Sequence, residues 1–288
     1  MHGKKNLRPI GSRIRSFYVY GDGPPAVFLP GAQGHPIFYE PVVRFIAHHY
    51  CVYIPVLPGD EHRPVPKPLR WDTFARPVLK DIEETFSERV ALIGTSFGAA
   101  LGLWLLFNNP ECFRGAVLHA PPWCLPRNRF VRLCLKQLIR ARAWTGIGLP
   151  FRLWSLMALT PEVTRLNRHQ RKTYRVWCLE RWRRFRTPTH AMGQRIALVY
   201  QLPDALADLP TPSPGLPIFI LTSRPGQDRL VPPGAIRDLT RTFPRFILKI
   251  LPEGGHLAPW IYPESFASAV VEGLRAMAIS ESPNQGFR

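Results

Sequence analysis

Residues 88–103 read Glu-Arg-Val-Ala-Leu-Ile-Gly-Thr-Ser-Phe-Gly-Ala-Ala-Leu-Gly-Leu. Val-Ala-Leu-Ile-Gly (90–94) has the continuous apolar character of a strand covered on both faces. A run of small residues with helical character begins after Ser96. Gly94-Thr95-Ser96-Phe97-Gly98 therefore places a serine on a sharp strand-to-helix turn. Such a turn strains the serine backbone, and the residues two before and two after it must lack side chains or strand and helix collide. Gly94 and Gly98 meet that need. A serine at an ordinary glycine-rich helix start is the competing reading, and the strand directly before Gly94 weighs against it.

Similar runs recur on both sides of this stretch. Strands are expected at 14–20, 25–29, 50–56, 89–94, 114–119, 217–222 and 245–251. Helices are expected between them at 37–48, 71–86, 97–108, 234–242 and 264–279. The alternation implies an α/β fold whose mostly parallel sheet, of about seven to eight strands, is covered on both faces. It breaks after Pro121 and resumes near Pro217. The stretch between is helical, at 129–143, 151–159 and 162–186. In 129–143, Phe130, Leu133, Leu138 and Ile139 share a side that should face the core. The expected division is a core of 1–121 and 206–288, with a helical cap of 122–205 inserted between two strands.

A serine hydroxyl needs a base to take its proton. His256, in Leu-Pro-Glu-Gly-Gly-His (251–256), leaves the last expected strand at the sheet edge where open α/β sheets place their sites. His119 also ends a strand and is the rival; it is expected to line the pocket or cap the sheet. The orienting acid should lie between serine and histidine in the chain. Asp204 and Asp208 precede strand 217–222, Asp238 falls inside a helix, and no acid follows strand 114–119. Asp228, which comes off strand 217–222 through a turn, remains. Upstream, Val-Phe-Leu-Pro-Gly-Ala-Gln-Gly (27–34) runs from a strand into a glycine-rich loop. Such a loop can turn an N–H toward an oxyanion beside that of Phe97, and Ala32 is the expected donor. Each amide would contribute about 3–4 kcal/mol to a tetrahedral intermediate. Gly31 and Gln33 should line the pocket.

With these motifs the chain resembles the α/β-hydrolase superfamily over roughly 24–121 and 215–279. Ile-Pro-Val-Leu-Pro-Gly-Asp (54–60) is similar to the family's "D-x-P-G-x-G" turn. Asn-Pro-Glu-Cys (109–112) is similar to its "P-E", and Glu-Gly-Gly-His (253–256) to its "G-x-G-H". Pro30, Val56, Thr95 and Ala99 depart from common choices at their positions, and none is a triad position. The resemblance implies hydrolysis of a small-molecule carboxylic ester or thioester through an acyl-enzyme on Ser96, with no metal or organic cofactor. Amide, carbon–carbon and perhydrolytic chemistries use the same triad. Dehalogenases and epoxide hydrolases of this type resemble each other in having an aspartate nucleophile, which Ser96 is not. A silent small-molecule-binding protein on the same fold is the alternative from another class.

Among 288 residues, 45% are hydrophobic, enough for a sizeable core, and the 32 prolines are scattered. Five cysteines without a C-x-x-C pair suggest neither a disulfide framework nor a zinc site. The basic start, Met1 to Arg13, lacks the apolar stretch of a secretory signal, and Arg152 interrupts the longest apolar run. A cytoplasmic location is expected. The net charge of +18 is concentrated: 123–190 holds 16 Lys and Arg against Glu162 and Glu180. Three readings of that charge stand: a solvated face, a surface for anionic lipid that makes the protein peripheral at a membrane, or a grip on an acidic substrate tail. Trp177, Trp182 and Phe185 interleave with arginines, yet no nucleic-acid module is present and helical spacing makes them a core stripe.

Overall fold

Val90–Thr95, uncharged throughout, runs through the middle of the sheet in the computed structural model. The structure describes residues 13–281 except 62, 124–128, 169, 173, 176–184, 208, 210–215 and 232. The strands are β1 (Arg13–Ile14), β2 (Phe17–Tyr20), β3 (Pro25–Leu29), β4 (Cys51–Pro55), β5 (Val90–Thr95), β6 (Phe113–His119), β7 (Ile218–Thr222) and β8 (Ile247–Ile250). They form one eight-stranded sheet in the order β1-β2-β4-β3-β5-β6-β7-β8. From β4 to β8 every pair is parallel; β1–β2 and β2–β4 are antiparallel. The single strand expected at 14–20 is thus two, split by a turn at Arg15, whose φ is +54°.

The two-residue period of the strands divides the core. Val27, Leu29, Leu92, Ala116, Leu118 and Ile220 face one layer, and Ala26, Phe28, Ile93, Val117 and Leu221 the other. The first layer is closed by α2 (Trp71–Thr85), α3 (Phe97–Asn108) and α7 (Pro233–Thr242). The second is closed by α1 (Glu40–Ile46), the short α8 (Ala258–Ile261) and α9 (Pro263–Glu281). Every residue of α3 from Phe97 to Phe107 is buried, as its lack of a polar face requires.

Between β6 and β7 the described residues form α4 (Arg129–Arg140), α5 (Trp144–Thr164) and α6 (Thr189–Ala207). Helix 129–143 ends earlier than expected, at a turn where Arg142 has φ +53°. Helix 151–159 is longer at both ends. The expected helix 162–186 falls in part on residues outside those described, among them Trp177, Trp182, Arg181, Arg183 and Arg184. α5 lies against α6 backbone to backbone, since a Cβ on Gly148 would stand 2.0 Å from the Thr189 carbonyl oxygen and one on Gly193 1.9 Å from that of Trp144.

Two expectations about this insertion change. The boundary at 205/206 falls inside α6, because Leu198, Leu202 and Leu206 bury into the same layer as α2 and α3, and the Trp71 indole donates to the Leu198 carbonyl at 2.8 Å. Phe130 and Leu133 do not face the core but are 71% and 55% exposed.

Candidate active site

The turn after β5 has the conformation its sequence demands. Ser96 has φ +53° and ψ −118°, left-handed backbone that a non-glycine residue adopts only under constraint. Its N–H donates to the His119 carbonyl at 2.9 Å, and its own carbonyl begins α3. A Cβ on Gly94 would stand 2.7 Å from the Gly98 oxygen, and one on Gly98 2.0 Å from the Leu29 oxygen. Neither position has room for any other residue. Phe97, first in α3, belongs to the turn whose N–H groups have no acceptor within the helix.

Asp228 and His256 come together from the loops that follow β7 and β8. His256 Nδ1 lies 3.0 Å from Asp228 Oδ2, with both side chains buried. The other carboxylate oxygen accepts the N–H groups of Leu230 and Val231, each at 2.8 Å. Burial alone would raise the Asp228 carboxyl; the charge of His256, its hydrogen bond and the Val231 amide outweigh that and hold it below its usual value. Burial works to lower His256, and the charge and hydrogen bond of Asp228, followed by the charge of Glu162, raise it above 6.5. The ionised carboxylate places the ring proton on Nδ1 and leaves Nε2 as the acceptor. Ser96 and His256 line one cavity of about 1890 Å³.

Glu162 is a residue that sequence reasoning passed over as one of two acids in a basic segment. It reaches from α5 into the histidine loop, where its carboxylate accepts the N–H of His256 at 3.0 Å and of Leu257 at 2.9 Å. Burial pushes its pKa up. The rarity of acids in a stretch so rich in arginine was the available signal.

Gly31 and Gln33 line the cavity as expected, with Ala32 between them. The Gly31 N–H donates to the Tyr39 hydroxyl at 2.8 Å, so that amide is already engaged. The Ala32 carbonyl is held at 2.7 Å by Arg195, which is fully buried on α6. Arg195 also donates to the Pro58 carbonyl at 3.0 Å and pairs with Asp60 at 2.6 Å, and its guanidinium lies 5.8 Å from the centre of the Phe97 ring. Thr187 donates to the other Asp60 oxygen at 2.6 Å. Nothing in the sequence separates Arg195 from the other basic residues.

His119 is the correction at this site. It is not among the residues lining the cavity but lies beneath His256, ring centres 6.1 Å apart, with Nδ1 3.1 Å from Thr95 Oγ1. Burial first, and then the charge of His256, push it down to about 3, so its ring is neutral. Among the described residues no group of three or more His, Cys, Asp or Glu is placed to hold a metal ion, and no helix is long and apolar enough to cross a membrane.

The family model described as the alpha/beta hydrolase family matches residues 26–269. No curated protein matches the chain. Among solved structures, a malate-bound thermophilic esterase from Thermogutta terrifontis is similar with a TM-score of 0.68 at 19% identity, over 91% of this chain and 93% of its own. An enol-lactonase from Burkholderia xenovorans LB400 gives 0.66 at 16%, over 90% and 95%. A haloalkane dehalogenase loop variant from Bradyrhizobium elkanii gives 0.60 at 16%, over 92% and 94%. At these identities the likeness is one of fold.

Proposed function

The chain belongs to the alpha/beta hydrolase family, and from that premise we propose that it is a serine hydrolase cleaving a carboxylic ester or thioester. The observation that carries this reading is the buried Asp228–His256 pair, whose histidine shares a cavity with the strained Ser96. In this mechanism His256 Nε2 takes the Ser96 proton as the oxygen attacks the carbonyl carbon. The tetrahedral oxyanion is held by the N–H groups of Phe97 and Ala32. The intermediate collapses, His256 gives its proton to the departing alcohol or thiol, and water then releases the acyl group by the same route in reverse order. No metal or organic cofactor takes part in these steps.

The lining favours a long acyl chain. The cavity, at about 1890 Å³, exceeds the roughly 300–1,000 Å³ of ordinary small-molecule pockets and is faced mainly by apolar side chains such as Leu135, Phe151 and Leu159. A p-nitrophenyl ester series should give a higher kcat/KM for octanoyl and dodecanoyl than for acetyl, and a flat or falling series would rule out long-chain selection. A fluorophosphonate probe tests the chemistry itself. Wild type is expected to label and Ser96→Ala not to; an unlabelled wild type would instead point to a binding protein on this fold.

Glu162 leads to a separate expectation in the pH profile. The base must be neutral, so activity is lost as pH falls through the pKa of His256. The negative charge of Glu162 favours the protonated ring, and its removal makes that ring more acidic. In Glu162→Gln the acid limb of kcat/KM should therefore move to lower pH. The amide also sets an N–H₂ group against two backbone donors, a loss of about 1–3 kcal/mol in stability. An unmoved limb would show that Glu162 only braces the loop.

A further inference from the structure

α5 is built inside out. Its only charged residues, Arg152 and Glu162, lie on the buried face at helical spacing with Ile147, Gly148, Ser155 and Ala158. Arg152 is satisfied there by the Thr187 carbonyl at 2.7 Å and the Thr189 hydroxyl at 3.1 Å. The outward face carries Leu149, Leu153, Leu156 and Met157, which are 49, 56, 58 and 73% exposed, beside Trp154. The neighbouring α4 adds Phe130, Val131 and Leu133. These eight are two thirds of the twelve large exposed apolar side chains among the described residues, so the exposure is a concentrated patch and not the usual scatter.

The surroundings of the patch are cationic. Lys136, Arg140, Arg142, Arg165, Arg168 and Lys172 are exposed in the same segment, and the sole acid among the described residues from 129 to 175 is the buried Glu162. A helix with an apolar outer face flanked by arginine and lysine has the composition of an element that lies in the headgroup region of a bilayer. A second copy of the chain would set one strongly positive face against another, and a nucleic acid would leave the leucines and Met157 without a partner. The charge and the apolar face are satisfied together by anionic lipid.

We propose that the α4–α5 face docks on the surface of an anionic membrane, with Leu149, Leu153 and Met157 entering the acyl boundary and the basic residues meeting lipid phosphates. The patch continues into the cavity, because Val131, Trp154 and Leu156 are both exposed and cavity-lining. A lipid-borne acyl chain can then pass from the bilayer toward Ser96 along apolar surface. The docking itself stands independently of whether Ser96 turns over an ester.

Flotation of the full chain with vesicles tests this without any activity assay. The protein is expected to float with vesicles of equal parts phosphatidylcholine and phosphatidylglycerol and to stay behind with phosphatidylcholine alone. The bound fraction should fall several-fold as salt rises from about 0.1 M to about 1 M, where the screening length shrinks from about 10 Å to about 3 Å. Leu153→Glu/Met157→Glu, whose side chains touch neither the cavity nor the core, should weaken binding at least tenfold while melting as wild type does. Equal binding to both vesicle types, no binding to the anionic ones, or unchanged binding by the double variant overturns the proposal. So does a wild-type dimer that this variant converts to monomer, since the patch would then be covered by a second copy.

Discussion

Ser96→Ala is expected to lower kcat by about a million-fold while leaving the fold intact, the scale on which serine hydrolases lose turnover when the nucleophile is removed. The side chain is partly exposed at the cavity wall, so its loss leaves no buried void. The φ of +53° is a backbone property that alanine tolerates as poorly as serine does, and the strain remains with no new one added. His256→Ala should cost about as much, and the double variant little more than either alone, because in the proposed mechanism hydroxyl and imidazole act on one proton and removal of either ends the same step. Asp228→Asn should cost less, about ten-thousand-fold, because its amide can turn an N–H₂ group toward Nδ1 and favour the wrong tautomer. Asp228 also anchors Leu230 and Val231, so the variant should melt lower as well. Single-turnover kinetics on one p-nitrophenyl ester measures all four. Losses that simply multiplied in the double variant would show that Ser96 and His256 do not act as a unit.

The residues proposed to act at strand ends were legible in the sequence, and those that hold them in place were not. The run 90–94 is apolar because helices cover it on both sides, and Gly94 and Gly98 are glycines because Leu29 and α3 leave no room for a Cβ. Both facts have local signatures, a run and a spacing. Asp228 and His256 each follow a strand through a short loop, so order along the chain was enough to choose them from several candidates. Glu162 meets its partners across 94 residues and Arg195 meets Asp60 across 135. Neither contact leaves a periodic trace. The amphipathic rule that sends apolar residues inward holds in α4 for Leu138 and Ile139, which are half-buried, but misread Phe130 and Leu133, and it fails most fully on α5, where Arg152 and Glu162 are buried. His119 was misplaced for a simpler reason. It ends a strand just as a site residue would, but Thr95 and His256 close over it.

Arg195→Leu is expected to be the most destabilising single change in the helical insertion. Arg195 carries one half of an ion pair in which neither side chain is exposed by more than 2%. Removing the guanidinium strips Asp60 of its counter-charge and leaves the Ala32 and Pro58 carbonyls without their donor. Breaking a buried pair from one side costs about 3–5 kcal/mol, chiefly because the surviving charge is stranded. At roughly 2–3 °C per kcal/mol for a chain of this size, the Tm should fall by roughly 6–15 °C. The loss extends to the site, since the guanidinium fixes the peptide after Ala32 and packs on the ring of Phe97, the two residues whose amides are proposed to hold the oxyanion. Below its Tm the variant should therefore show a reduced kcat with a KM close to wild type, because donors set for the transition state have moved and the acyl-binding wall has not. Arg195→Lys keeps the charge but cannot serve three acceptors from one planar fork, so it should recover part of the stability and little of the kcat. The double variant Arg195→Leu/Asp60→Leu removes the stranded charge, and it should melt above Arg195→Leu alone even though two polar residues are gone. If the double variant melted lower by the sum of the two single losses, the pair would be two independent contacts, and the link from α6 through Ala32 to the oxyanion site would have no energetic basis.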